Sequence, residues 1–165
     1  MSFIKENNGS LIVEAIVSIS ISVVGLLGVL GLLSRSLGLN KDIGHKFIAT
    51  YLAVEGIEVV KSLIENDFVD GRGWSACCAP GAWEAAYNST ALVSGASPRP
   101  LRFDSATGVY NYDGTKPTSA FSRTINITNV SSNEMRVVSN INWTIRGSAQ
   151  NISLEDHFFN WRVRP

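Results

Sequence analysis

A short leader, polar in its second half, runs from Met1 to Gly9, and the stretch from Leu11 to Leu33 is apolar with one charge in it, Glu14. A run of about 23 predominantly apolar residues is long enough to cross a bilayer as a helix. A carboxylate within such a run costs roughly 2.5–3.5 kcal/mol on insertion scales, so Glu14 calls either for a cationic partner or for a place at headgroup level. Beyond the span the helical period continues. Ile43, Phe47, Tyr51 and Val54 form one stripe and Ile48, Leu52, Val59 and Leu63 the adjacent one, the spacing of a helix packed on a core. Gly38, Gly44 and Gly56 weaken the pattern and allow a bend, and it stops near Asn66 and Asp67, where Gly71 and Gly73 close it.

The period then changes. Residues 70–120 are rich in Gly, Ser, Pro and Ala, with turn signals at Asp70-Gly71, Pro80-Gly81 and Asp113-Gly114. Leu101 to Phe103 and Val109 to Tyr112 are predicted as short strands of one hairpin. From Phe121 onward the alternation is of period two: Phe121, Arg123, Ile125 and Ile127, then Val137, Ser139, Ile141, Trp143 and Ile145, then Ile152, Leu154 and Phe158. Such alternation means strands with one wet face and one buried face, here against the stem helix. The expected fold class is α+β: a long N-terminal helix, transmembrane in its first half and amphipathic in its second, packed on a small antiparallel β-sheet. The chain divides accordingly into a leader at 1–9, a transmembrane and assembly helix at 10–34, a stem helix at 35–67 and a β-sheet region at 68–165.

Within the span Ser18 and Ser22 lie four apart, and Gly25, Gly28 and Gly31 recur every three residues. Small residues at helical spacing let membrane helices approach closely. Gly and Ser are also common in such helices generally, and the spacing leaves both readings open. Glycine costs about 1 kcal/mol against alanine in a helix interior, which makes this stretch a place for local unwinding.

The leader ending in Gly9, the junction with Ser10, and Glu14 as the fifth residue after that junction resemble the N-terminus of type IV prepilins and pseudopilins. The chain departs from the family's usual pattern in having Ser10 where Phe or Met is common, and Lys5 beside Glu6 in place of a basic run. The resemblance implies cleavage between Gly9 and Ser10 by a prepilin peptidase, N-methylation of Ser10, and assembly into a filament through the apolar helix. It further implies that Glu14 pairs with the Ser10 ammonium of a neighbouring subunit. The segment Ala49 to Lys61, with Leu52-Ala53, Glu55-Gly56-Ile57-Glu58 and Val60, resembles PilV-type minor pilins, as does the closing run from Phe121 to Ile127 through Trp143 to Trp161 and Arg162.

The partners so implied are other pilin subunits, the peptidase and the membrane platform of an assembly machine. The location implied is the cytoplasmic membrane, with a single pass and an extracytoplasmic C-terminal region, and then the pilus at the cell surface. Two other functions fit the same chain: a pseudopilin of a type II secretion or DNA-uptake system, and a signal-anchored extracytoplasmic domain that binds a ligand or catalyses a reaction.

Composition narrows the partners further. Fourteen Lys and Arg balance fourteen Asp and Glu in 165 residues, with no basic or acidic block, so no nucleic acid is expected. Lys5 precedes the span, but Arg35, Lys41 and Lys46 follow it, so orientation rests on the resemblance. The two cysteines, Cys77 and Cys78, are adjacent; a vicinal disulfide, an intersubunit bond and free thiols all remain open. With no C-x-x-C pair and two histidines, no structural zinc is expected, and Asp104 and Asp113 lack the spaced oxygen ligands of a calcium loop. The chain contains no G-x-S-x-G, H-E-x-x-H or phosphate-loop motif, so neither catalysis nor a cofactor is expected.

Overall fold

The computed structural model describes residues 8–161. One helix, α1 (Asn8–Val69), is followed by seven strands: β1 (Gly81–Glu84), β2 (Val93–Ser94), β3 (Pro100–Asp104), β4 (Val109–Asn111), β5 (Thr118–Ser131), β6 (Glu134–Ile145) and β7 (Ser148–Phe159). All pairings are antiparallel. Contacts divide the chain into two units, one up to Gly44 and one from His45 onward.

In the first unit, α1 is continuous helix through Gly25, Gly28, Gly31 and Gly38. Every large apolar side chain from Leu11 to Leu33 is exposed, and the helix is long and apolar enough to cross a membrane.

In the second unit, β5 is the hub. It pairs with β6 along one edge and, along the other, with β3 near its start and β1 near its middle; β7 pairs with β6. Alternation along β5 and β6 sends Phe121, Arg123, Ile125 and Ile127, and Met135, Val137, Ser139, Ile141 and Trp143, to the buried face. The C-terminal part of α1 packs there. Two apolar clusters result: Ala49, Leu52 and Ala53 meet Leu101, Phe121, Ile141 and Trp143, while Ile57, Val60 and Leu63 meet Ile125, Ile127, Met135 and Val137. Between the clusters lies a polar layer at Gly56, Arg123 and Ser139.

The helix ends as its sequence dictates. Gly71 takes a φ of 73°, the Arg72 N–H donates to Asp67 O at 2.8 Å and the Gly71 N–H to Phe68 O at 3.2 Å. These are the two bonds of a Schellman cap, which satisfy carbonyls that would otherwise be orphaned at a helix end.

Three expectations are corrected. Of the two stem stripes only the second faces the sheet; Ile43, Phe47, Tyr51 and Val54 are exposed, with Phe47 and Tyr51 stacked edge to face at 4.7 Å. A helical period defines a face without saying which of two adjacent apolar faces is covered. On β7, Leu154 is exposed, while Ile152 and Phe158 are half-buried and pack against the margins of the two apolar clusters, because the strand is the outer edge of the sheet and is flanked on one side only. Finally, β1 and β2 occupy a stretch that reads as turns, and Gly56, read as a weak point of the helix, is buried in its interior.

Candidate functional site

The residues to which the resemblance assigns cleavage and assembly lie in the first unit. Gly9 and Ser10 are exposed in the first turns of α1; Met1 to Asn7 of the leader lie outside the described residues. Glu14 is exposed, and among the described residues it has no cationic partner. The Ser20 and Ser22 hydroxyls donate to the carbonyls of Ile16 and Ser18 at 2.7 and 2.8 Å, so each is satisfied on its own helix without water. A Cβ built on Gly25, Gly28 or Gly31 meets nothing within 4 Å. Nothing in the chain itself therefore requires glycine at these positions.

The second unit holds a buried ionic network that the sequence did not single out. Arg123 is fully buried on the inner face of β5. Its Nη1 donates to Leu52 O and to Glu55 Oε1, each at 2.9 Å, and its Nη2 donates to Ala85 O. One guanidinium thus joins α1, β5 and the segment after β1. Close by, the buried carboxylate of Glu84 accepts the Arg99 backbone N–H at 2.6 Å and its Nε and Nη2 at 2.7 Å. The Arg99 guanidinium lies 4.8 Å from the centre of the Tyr112 ring, and burial pushes the Tyr112 hydroxyl up to about 12. Both carboxylates are occupied by arginines and the phenol stays protonated at neutral pH, so the network holds elements together and offers no free general base.

At the end of α1, the buried carboxylate of Asp67 accepts bonds from Arg72 Nε at 2.7 Å and from the Cys77 N–H. This ties the segment after the helix back beneath it. Cys77 and Cys78 are joined to each other, with Cys78 in the apolar core and Cys77 packed against it.

The acidic turn residues serve local roles. Asp104 accepts the Ala106 N–H at 2.9 Å and pairs with Lys116 at 3.0 Å; the former contact, then the latter, hold its carboxyl below the usual range. Asp113 accepts the Thr115 N–H and hydroxyl, which lower it likewise. On the outer face, His157 Nδ1 lies 2.7 Å from Glu134 and its Nε2 lies 3.1 Å from Glu155, and these carboxylates, Glu134 foremost, raise its pKa. Among the described residues, no three His, Cys, Asp or Glu are grouped to hold a metal ion.

No family model matches the chain, and neither a curated protein nor a solved structure matches it.

The buried positions of Arg123 and Ser139 had a signal in the sequence, since both fall in the apolar phase of their strands. The Glu84–Arg99 pair had none, because its members sit on a four-residue strand and in the connection between two strands.

Proposed function

We propose that this chain is a minor pilin of the PilV type, a structural subunit that is cut after Gly9, methylated on Ser10 and assembled into a filament through its apolar helix. The observation that carries this reading is the helix from Leu11 to Leu33, whose large apolar side chains are all exposed and among which Glu14 is the single charge. An exposed apolar surface of that length needs another medium, lipid before assembly and neighbouring helices after it. In the membrane the chain is held by this one span, with its sheet-bearing region outside the cytoplasm.

In the filament, Glu14 meets the ammonium created at Ser10 of an adjacent subunit, which neutralises both charges and sets the register of the incoming chain. Removing one partner of a buried pair costs about 3–5 kcal/mol. Glu14→Ala should therefore leave cleavage at Gly9 intact and deplete the subunit from sheared filaments, while Gly9→Ala should block cleavage. Filaments that incorporate the Glu14 variant normally would refute the pairing.

The deciding experiment is the intact mass and N-terminal sequence of the protein from membranes with and without a co-expressed prepilin peptidase. Peptidase-dependent loss of Met1 to Gly9 with one added methyl supports the assignment. An unprocessed chain points instead to a signal-anchored extracytoplasmic domain.

A further inference from the structure

The strand β7 is an open edge of unusual length. It pairs with β6 in unbroken register from Ser148 opposite Ile145 to Phe159 opposite Glu134, and among the described residues no strand lies on its other side. It contains no proline, no lysine and no bulge, and its charged side chains, Glu155, Asp156 and His157, are confined to its C-terminal third, so the stretch from Ser148 to Leu154 has none of the devices that normally keep such edges from pairing with other strands.

Two bonds fix which backbone groups face outward. The Asn160 N–H donates to Asn133 O, one step beyond the pair of Phe159 with Glu134, so even-numbered residues of β7 bond to β6. The His157 N–H donates to the side chain of Asp156, as an outward odd-numbered group would. Phe159 O is taken by the Trp161 N–H. The outward residues with both N–H and C=O left without a described partner are Ala149, Asn151, Ser153 and Glu155, a window centred on Ile152; His157 and Phe159 each keep one such group beyond it.

Charge placement adds a second observation. Arg146 and Gly147 form the turn from β6 to β7 with φ of 50° and 80°. Both positions of such a turn are left-handed, where Asn-Gly is the favoured pair; a left-handed conformation costs a non-glycine residue roughly 1–2 kcal/mol. Arg146 is exposed and makes no ion pair with any described residue, and at the other end of the edge Asp156 is exposed and makes none either.

We infer that β7 is a docking edge for a second copy of this chain, joined antiparallel about a two-fold axis at Ile152. That register sets Ala149 against Glu155 and Asn151 against Ser153 of the other copy, which uses every free group in the window, and it sets Ile152 against Ile152. Asp156 then falls opposite Ser148 of the other copy, next to that copy's Arg146, so the two unpaired charges are matched twice. Neither Glu155 nor Asp156 faces an acid. The contact is separate from packing of the apolar helix and stands whether or not the chain is a pilin.

The test uses the full chain in detergent micelles, with mass measured by light scattering across a concentration series. A monomer–dimer equilibrium is expected. Asp156→Arg and Arg146→Asp should each weaken it roughly tenfold by turning two attractions into two repulsions, and the double exchange should restore it. Mixed Asn151→Cys and Ser153→Cys chains should form an intermolecular disulfide under mild oxidation faster than either chain alone. A monomer at all concentrations, a dimer indifferent to both charge reversals, or no recovery in the double exchange would overturn the assignment, the second outcome pointing to the apolar helix as the contact.

Discussion

Replacing Gly56 by alanine is the sharpest test of how helix and sheet meet. In an exposed helix interior, Gly→Ala stabilises by about 1 kcal/mol. Here the new Cβ would stand 2.4 Å from Ser139 Oγ, 3.1 Å from Arg123 Cδ and 3.3 Å from Ser139 Cβ. Retreat is restricted, since Arg123 is fully buried and held by three acceptors, and the Ser139 hydroxyl can move away only by turning about χ1 within a fully buried site, with Ser139 Cβ still in place. Overpacking of this kind costs about 1–3 kcal/mol, so the expected sign is destabilising in spite of the better helix former. The Ser139 hydroxyl has no hydrogen-bond partner among the described residues, and an unsatisfied buried hydroxyl is itself a burden of about 1–3 kcal/mol. Ser139→Ala should therefore be neutral or stabilising, and it removes the 2.4 Å contact. The double variant should recover at least about 1 kcal/mol of the Gly56→Ala loss, within the range of coupling seen for touching residues. Urea unfolding in detergent, followed by tryptophan fluorescence, reads this directly because Trp74, Trp83, Trp143 and Trp161 all lie outside the apolar helix. Strict additivity of the two changes, or stabilisation by Gly56→Ala alone, would refute the close approach.

Arg123→Met preserves much of the side-chain volume but leaves Ala85 O without its donor and Glu55 without its partner; Glu55 is partly exposed and can rehydrate, so the loss should be about 2–3 kcal/mol in urea midpoint analysis, and equal stability would show that the network is dispensable. His157 contributes pH dependence on the neutral side. Because Glu134 and Glu155 raise its pKa from 6.5, its contribution is full below that value and is lost as pH rises through the raised one. The unfolding midpoint should fall over that window, and Glu134→Gln should shrink the slope; an NMR titration placing His157 at or below 6.5 would contradict the contacts.

How much of this was legible depends on the length over which a pattern repeats. The strands β5, β6 and β7 run for 14, 12 and 12 residues, long enough for alternation to declare both strand and phase. Arg123 and Ser139 obeyed that phase, so their burial could be read although their partners could not; Leu52 and Glu55 are about 70 residues away, and no local rule connects them. The strands β1 and β2 have four and two residues, too few for a period, and exist because β5 offers β1 a partner and β1 offers one to β2. The stem failed differently. Its two apolar stripes have equivalent spacing, and the choice between them is made by the shape of the opposing sheet, where Gly56 lets the backbone approach Ser139.

The apolar helix was the most legible part because its proposed work faces away from its own chain. Helix geometry adds one step to that reading. At about 100° per residue, Glu14, Ser18, Ser22 and Gly25 fall within an arc of about 80°, whereas Gly28 and Gly31 step back to about 40° and 100° on the other side of Glu14. Glu14, Ser18 and Ser22 therefore trace a ridge of spacing four, and Ser22, Gly25, Gly28 and Gly31 one of spacing three, the two meeting at Ser22. Ridges of these spacings are inclined in opposite senses and favour different crossing angles. A single partner helix cannot follow both, so under the proposed function the two ridges would face different neighbours in different orientations, whereas a lone membrane anchor would use neither.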